Sequence, residues 1–98
     1  MPVEEALGGE RRAKAQEFVV ALFFAARGKG SVRFTPTEVW EGLERQWPLT
    51  SIRRALTNLS DERRYDHPPL QHHPRDRRPG PRGARESTWS LAETGAAL

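Results

Sequence analysis

Five polar residues in the stretch PLTSIRRALTNL are of the types that read nucleic acid: Ser51, Arg53, Arg54, Thr57 and Asn58. On a helix, at about 100° per residue, Ile52, Ala55, Leu56 and Leu59 fall at i, i+3, i+4 and i+7 as a narrow apolar stripe. The five polar residues and Thr50 then share the opposite face. A guanidinium donates in a planar fork that fits guanine or phosphate, and short hydroxyl and amide side chains reach base edges and backbone oxygens. An ordinary solvated helix surface has the same pattern, so the surroundings must decide between the two.

A second group lies downstream. Between Gln71 and Arg85 stand five arginines, Arg75, Arg77, Arg78, Arg82 and Arg85, against one acid, Asp76, a local excess of +4 in a chain whose net charge is +3. Cations gathered on one element are the electrostatic footprint of phosphate binding. The total bias, 14 Arg against 2 Lys, says less, because a GC-rich coding sequence produces it too. His67, His72 and His73 with Asp66 and Asp76 invite a metal or hydrolytic reading. However, adjacent histidines on a strand point to opposite faces, and no helical H-x-x-x-H or carboxylate pair supports them. The chain has no cysteine, hence no thiolate nucleophile and no cysteine zinc site. The expectation is a binding protein with no catalytic residues, no metal and no cofactor.

The elements that must position these groups follow from local signals. The 98 residues suit one domain, 10–98, behind a loose arm, 1–9, that contains Gly8 and Gly9. The first helix is expected from Glu10 to Arg27, with Ala15, Phe18, Val19, Leu22, Phe23 and Ala26 facing the core. Val20 and Phe24 fall outside that arc, as a patch for a second copy of the chain or for the C-terminal residues to cover. Gly28 and Gly30 end the helix, and Ser31 to Phe34 form a short edge strand. Thr35, Pro36, Thr37 and Glu38 form a capping box with proline at the first helical position, so the second helix starts at Pro36. Thr35 and Thr37 also offer hydroxyls to a phosphate at that terminus. Val39, Trp40, Leu43 and Trp47 face inward, Pro48 stops the helix, and Thr50 is the N-cap expected for the third.

After Asp61, proline and glycine exclude long helices. Leu70 to His73 and Glu86 to Leu91 read as paired strands, with Trp89 turned inward like Trp40, and PRDRRPGPRGAR as a stiff basic tip. AETGAAL forms a last turn that packs Leu98 on the first helix, or frays. No apolar leader segment and no run of about 18 apolar residues is present. A soluble cytoplasmic protein is expected, with no membrane association, held on the nucleoid in a bacterium or in the nucleus of a eukaryote.

The order helix, short strand, helix, turn, helix, strand, basic loop, strand resembles the winged helix-turn-helix domain over residues 10 to 95. The resemblance is carried by Thr35 to Leu59 and by TWSLAETG, which is similar to the aromatic-x-Leu-Thr-x-x-Gly endings of winged-helix regulators, with Ala92 in the threonine position. It implies an α+β fold of three helices with a small antiparallel sheet forming a basic wing. The third helix would enter the major groove with Ser51, Arg53, Arg54, Thr57 and Asn58, and the wing would hold the backbone with Arg75, Arg77, Arg78, Arg82 and Arg85. It also implies a small transcriptional regulator that binds double-stranded DNA in a sequence-specific way. Further partners would be a second copy, docked through Val20 and Phe24 of the first helix, and a protein of the transcription machinery. The alternative is an interaction module of the same fold that binds an acidic protein or RNA. Against it stands the third helix, which exposes no large apolar residue between Thr50 and Asn58.

Overall fold

The computed structural model describes residues 3–30, 32–81 and 83–92, with side chains from residue 14 onward. Three helices, α1 (Val3–Arg27), α2 (Pro36–Gly42) and α3 (Leu49–Leu59), precede an antiparallel hairpin of β1 (Leu70–Pro79) and β2 (Arg85–Leu91). The described residues form a small α+β domain of three helices and a two-stranded sheet.

Helix α1 begins at Val3, seven residues before the start expected at Glu10, and runs through Gly8 and Gly9 of the expected arm. Its rotation also differs from expectation. Val20 and Phe24 are fully buried and Phe23 nearly so, whereas Phe18 and Leu22 are 64% and 51% exposed. The reason lies in the sequence of the helix: over residues 18–26 apolar residues surround it on every side, so periodicity does not single out one face. The stripe that turns inward includes Gln16, buried at 8% exposure, and ends at Arg27, whose guanidinium lies 5.1 Å from the Phe23 ring centroid. These polar residues made the true core face look the poorer of the two. Burial of Val20 and Phe24 removes the patch through which two copies were expected to pair.

The core forms where α1 crosses α2 and α3. Phe23, Phe24 and Phe34 meet edge to face, with centroids 5.7, 5.1 and 5.5 Å apart. Gly42 allows the close approach of α1 to α2, since a Cβ there would stand 2.5 Å from the Phe23 ring. Val39, Ile52, Ala55, Leu56, Leu59, Leu70 and Trp89 complete the core, and the stripe expected on α3 is the buried one.

Helix α2 starts as its capping box dictates. The Thr35 hydroxyl accepts from the Glu38 backbone N–H at 3.2 Å, and the Glu38 carboxylate accepts from the Thr35 N–H at 2.9 Å. It ends at Gly42 and does not reach Trp47. Glu44 and Arg45 take left-handed conformations (φ 59° and 57°), which double the chain back so that the Trp40 indole N–H donates to the Trp47 carbonyl at 2.8 Å. Trp40 is consequently half-buried, packed on the core and not inside it. The next helix begins at Leu49 with Pro48 in the cap position, so Thr50 lies in its first turn and caps nothing.

The expected strand at 31–34 is reduced to one bridge, in which Phe34 and Trp89 exchange both backbone hydrogen bonds at 2.8 and 2.9 Å; Ser31 lies outside the described residues. Strand β1 continues six residues past His73 through the arginines that were expected to form a loop. Its prolines are tolerated because of where they fall. Pro74 enters an irregularity in which Pro74, Arg75 and Asp76 have no partners, since His73 pairs with Thr88 and Arg77 with the next residue, Ser87; Pro79 is the last residue of the strand. The Trp89 indole donates to Ser60 Oγ at 3.1 Å, and Ser60 donates to the Leu56 carbonyl at 2.9 Å, which fastens the hairpin to the C-terminal end of α3. Residues 93–98, including Leu98, lie outside the described residues. Among the described residues, no helix is long and apolar enough to cross a membrane.

Candidate nucleic-acid interface

The outer face of α3 presents Thr50, Arg53, Arg54 and Thr57 to solvent, with Ser51 half-buried beside them. Asn58 is set apart. It sits one residue from the helix C-terminus, half-buried, with its amide donating to Glu17 Oε2 of α1 at 3.4 Å. Asn58 therefore braces α3 against α1, with one of its amide donors engaged by Glu17.

Thr35 and Thr37 are also spoken for. Both are buried; Thr35 caps α2, and the Thr37 hydroxyl donates to Glu86 Oε1 at 2.8 Å. Both side chains are buried in the fold, not presented at the surface where a phosphate was expected to meet them.

Glu86 links the hairpin to the helices. Its side chain is 9% exposed, and the same Oε1 that accepts from Thr37 lies 3.6 Å from an Arg53 guanidinium nitrogen. Residues from α2, α3 and β2, far apart in sequence, meet at this one carboxylate. Its other oxygen, Oε2, is buried without a hydrogen-bond partner among the described residues. Sequence reasoning missed Glu86. The available signal was its alternation with Thr88 and Ser90, which puts three polar residues on one face of a strand.

On the hairpin, Arg78 stands opposite Glu86 and Arg77 opposite Ser87, so the two arginines project to opposite faces. Arg78 is held: it lies 3.8 Å from Glu38 and 3.6 Å from Asp76, and donates to the Arg33 carbonyl at 3.3 Å. Asp76 also pairs with Arg33 at 3.1 Å and accepts from Thr88 at 3.2 Å. Its hydrogen bond from Arg33 keeps its carboxyl below the usual carboxylate range, with help from Thr88 and the Arg78 charge. Arg75, Arg77 and Arg85, like Arg54 on α3, are exposed and form no ion pair among the described residues. Arg82 lies outside the described residues.

The histidines do not converge on an ion. His72 stacks on Trp89 with centroids 4.2 Å apart and shares a hydrogen bond with Ser87 at 2.8 Å, while His73 pairs with Ser90 at 2.7 Å. Among the described residues, no group of three His, Cys, Asp or Glu side chains is placed to hold a metal. Burial lowers both imidazoles below the ordinary 6.5; His73 adds to the effect on His72, and the Arg33 charge to that on His73 against an opposing pull from Asp76. The folded state thus takes up protons less readily than the unfolded chain. This contribution to stability is complete above about pH 6.5 and is lost as the pH falls through the lower folded values. The thermal midpoint should fall between about pH 7 and pH 5, and the double variant His72→Gln, His73→Gln should flatten that part of the profile. An equally steep fall in the double variant would place the titrating groups elsewhere.

No family model matches this chain, and no curated protein and no solved structure is measurably similar to it.

Proposed function

We propose that this protein is a winged helix-turn-helix domain that binds double-stranded DNA in a sequence-specific way and acts, without catalysis, as a small transcriptional regulator. In this reading α3 is the recognition helix, Arg53 and Arg54 read base edges with Ser51 and Thr57 beside them, and β1 and β2 are the wing. The observation that carries the reading is the division of α3 into two faces. Ile52, Ala55, Leu56 and Leu59 are buried, while every large side chain on the outer face is an arginine. Arg75, Arg77 and Arg85 on the adjoining hairpin, without ion-pair partners among the described residues, add charge suited to phosphates.

A helix that docks on a protein would show exposed aromatic or aliphatic anchors, and from Thr50 to Asn58 α3 shows none outside its buried stripe; Leu49, at its first position, is half-buried. Among the described residues, the large apolar side chains that are exposed, Phe18, Leu22, Val32 and Tyr65, all lie outside α3.

Selection from a pool of random duplexes tests the proposal. Enrichment of a short common sequence is expected, with a preference over random duplex of about a thousandfold or more. Binding that enriches no sequence would reduce α3 to a non-specific contact. Tighter binding to single-stranded RNA or to an acidic polypeptide than to any duplex would replace the proposal with the interaction-module reading.

A further inference from the structure

Two adjacent arginines on α3 differ in one respect. Arg54 forms no ion pair among the described residues, whereas Arg53 lies against a carboxylate that the protein holds in place. That carboxylate, Glu86, is nine-tenths buried, accepts from the buried Thr37 hydroxyl at 2.8 Å, and touches Arg53 at 3.6 Å, too long for a hydrogen bond but within ion-pair range. Arg53 itself stays 53% exposed, so its pairing with Glu86 through one nitrogen, Nη2, leaves much of the side chain open to solvent.

From this geometry we propose that Glu86 is the positioning residue that gives Arg53 its base preference, with Thr37 holding Glu86. The inference rests on the DNA-binding reading above and deepens it. An exposed arginine samples many rotamers, and a bidentate contact to guanine requires one of them. An anchor on a packed strand narrows that choice, and sites fixed by supporting contacts discriminate better than loose ones. The carboxylate also faces phosphates with the wrong sign, so its presence lowers general attraction to DNA while it sharpens the choice of sequence. Gly80 makes room for it: a Cβ there would lie 3.1 Å from Glu86 Oε2 and 2.9 Å from the Ala84 carbonyl oxygen.

The test compares base-preference profiles of the 98-residue chain on the selected duplex and on its single-base variants. Glu86→Gln keeps the shape and an acceptor for Thr37 but removes the charge. Thr37→Val keeps the charge but removes the donor that orients it. Both variants should lose about fivefold or more of the preference at one base pair, the one that Arg53→Ala also relaxes, and leave unchanged the base pair relaxed by Arg54→Ala. Affinity for random duplex should be unchanged or higher. In the double variant Arg53→Ala, Glu86→Gln, the second change should add nothing at that base pair.

An unchanged profile with uniformly tighter binding would make Glu86 a mere charge brake and overturn the proposal. Additive losses in the double variant would overturn it as well. If the wild-type chain selects no duplex at all, the DNA-binding reading has failed and this inference falls with it, an outcome distinct from wild-type selection with an unmoved profile.

Discussion

Phe24→Ala is expected to destabilise the domain by about 3–5 kcal/mol, whereas Phe18→Ala, six residues earlier on the same helix, should change stability by no more than about 0.5 kcal/mol. Phe24 is fully buried between Phe23 and Phe34, so truncation leaves a cavity that the crossing of α1 with the other helices cannot close. Phe18 is 64% exposed and loses little. A small domain holds about 5–15 kcal/mol in total, so the Phe24 variant should lie near or past the edge of folding at physiological temperature. Denaturant titration of both variants measures the difference. A larger loss for Phe18 than for Phe24 would restore the rotation of α1 that periodicity suggested and return Val20 and Phe24 to the surface.

Replacement of Arg75, Arg77 and Arg85 together with serine should weaken binding on all duplexes alike. Each phosphate contact releases condensed counterions, so log K falls with log salt concentration by about 0.9 per contact, and loss of three contacts should flatten the slope by up to about 3. Stability should survive, because these side chains are exposed and unpaired among the described residues. Arg78 is left in place because its contacts with Asp76 and Glu38 help hold the hairpin. Base preference should persist, since α3 supplies it. Affinity measured over a range of salt concentrations decides the matter. An unaltered slope would show that the hairpin is not a phosphate clamp, and loss of preference without a change of slope would assign it to base reading.

What could be read from the sequence is what local physics decides. The α3 stripe was legible because its apolar and polar faces are cleanly separated, and the start of α2 because a capping box is complete within four residues. The rotation of α1 was not, because Phe18, Val19, Val20, Leu22, Phe23 and Phe24 leave no polar side to exclude and Gln16 occupies a buried position. The end of α2 depends on a hydrogen bond between Trp40 and Trp47 across two left-handed residues that are not glycine, and propensity does not foresee such a turn. The length of β1 was not legible because Pro74 and Pro79 read as strand breakers, whereas in the fold Pro74 lies in an irregularity and Pro79 ends the strand. Of the candidate interface, the exposed arginines were legible by type. The commitment of Asn58, Thr35 and Thr37 to internal bonds, and the meeting of Thr37, Arg53 and Glu86, arise only once the chain is folded.

Whether α3 reads base sequence is decided by comparing Arg54→Ala with the wild-type chain on two duplexes. Arg54 is exposed and unpaired among the described residues, so its removal breaks no ion pair there. On the duplex enriched by selection, Arg54→Ala should cost about 1–3 kcal/mol of binding free energy, with a much smaller loss on random duplex at the same salt concentration. Equal losses on the two duplexes would make Arg54 a phosphate contact and contradict the claim that this helix carries the specificity.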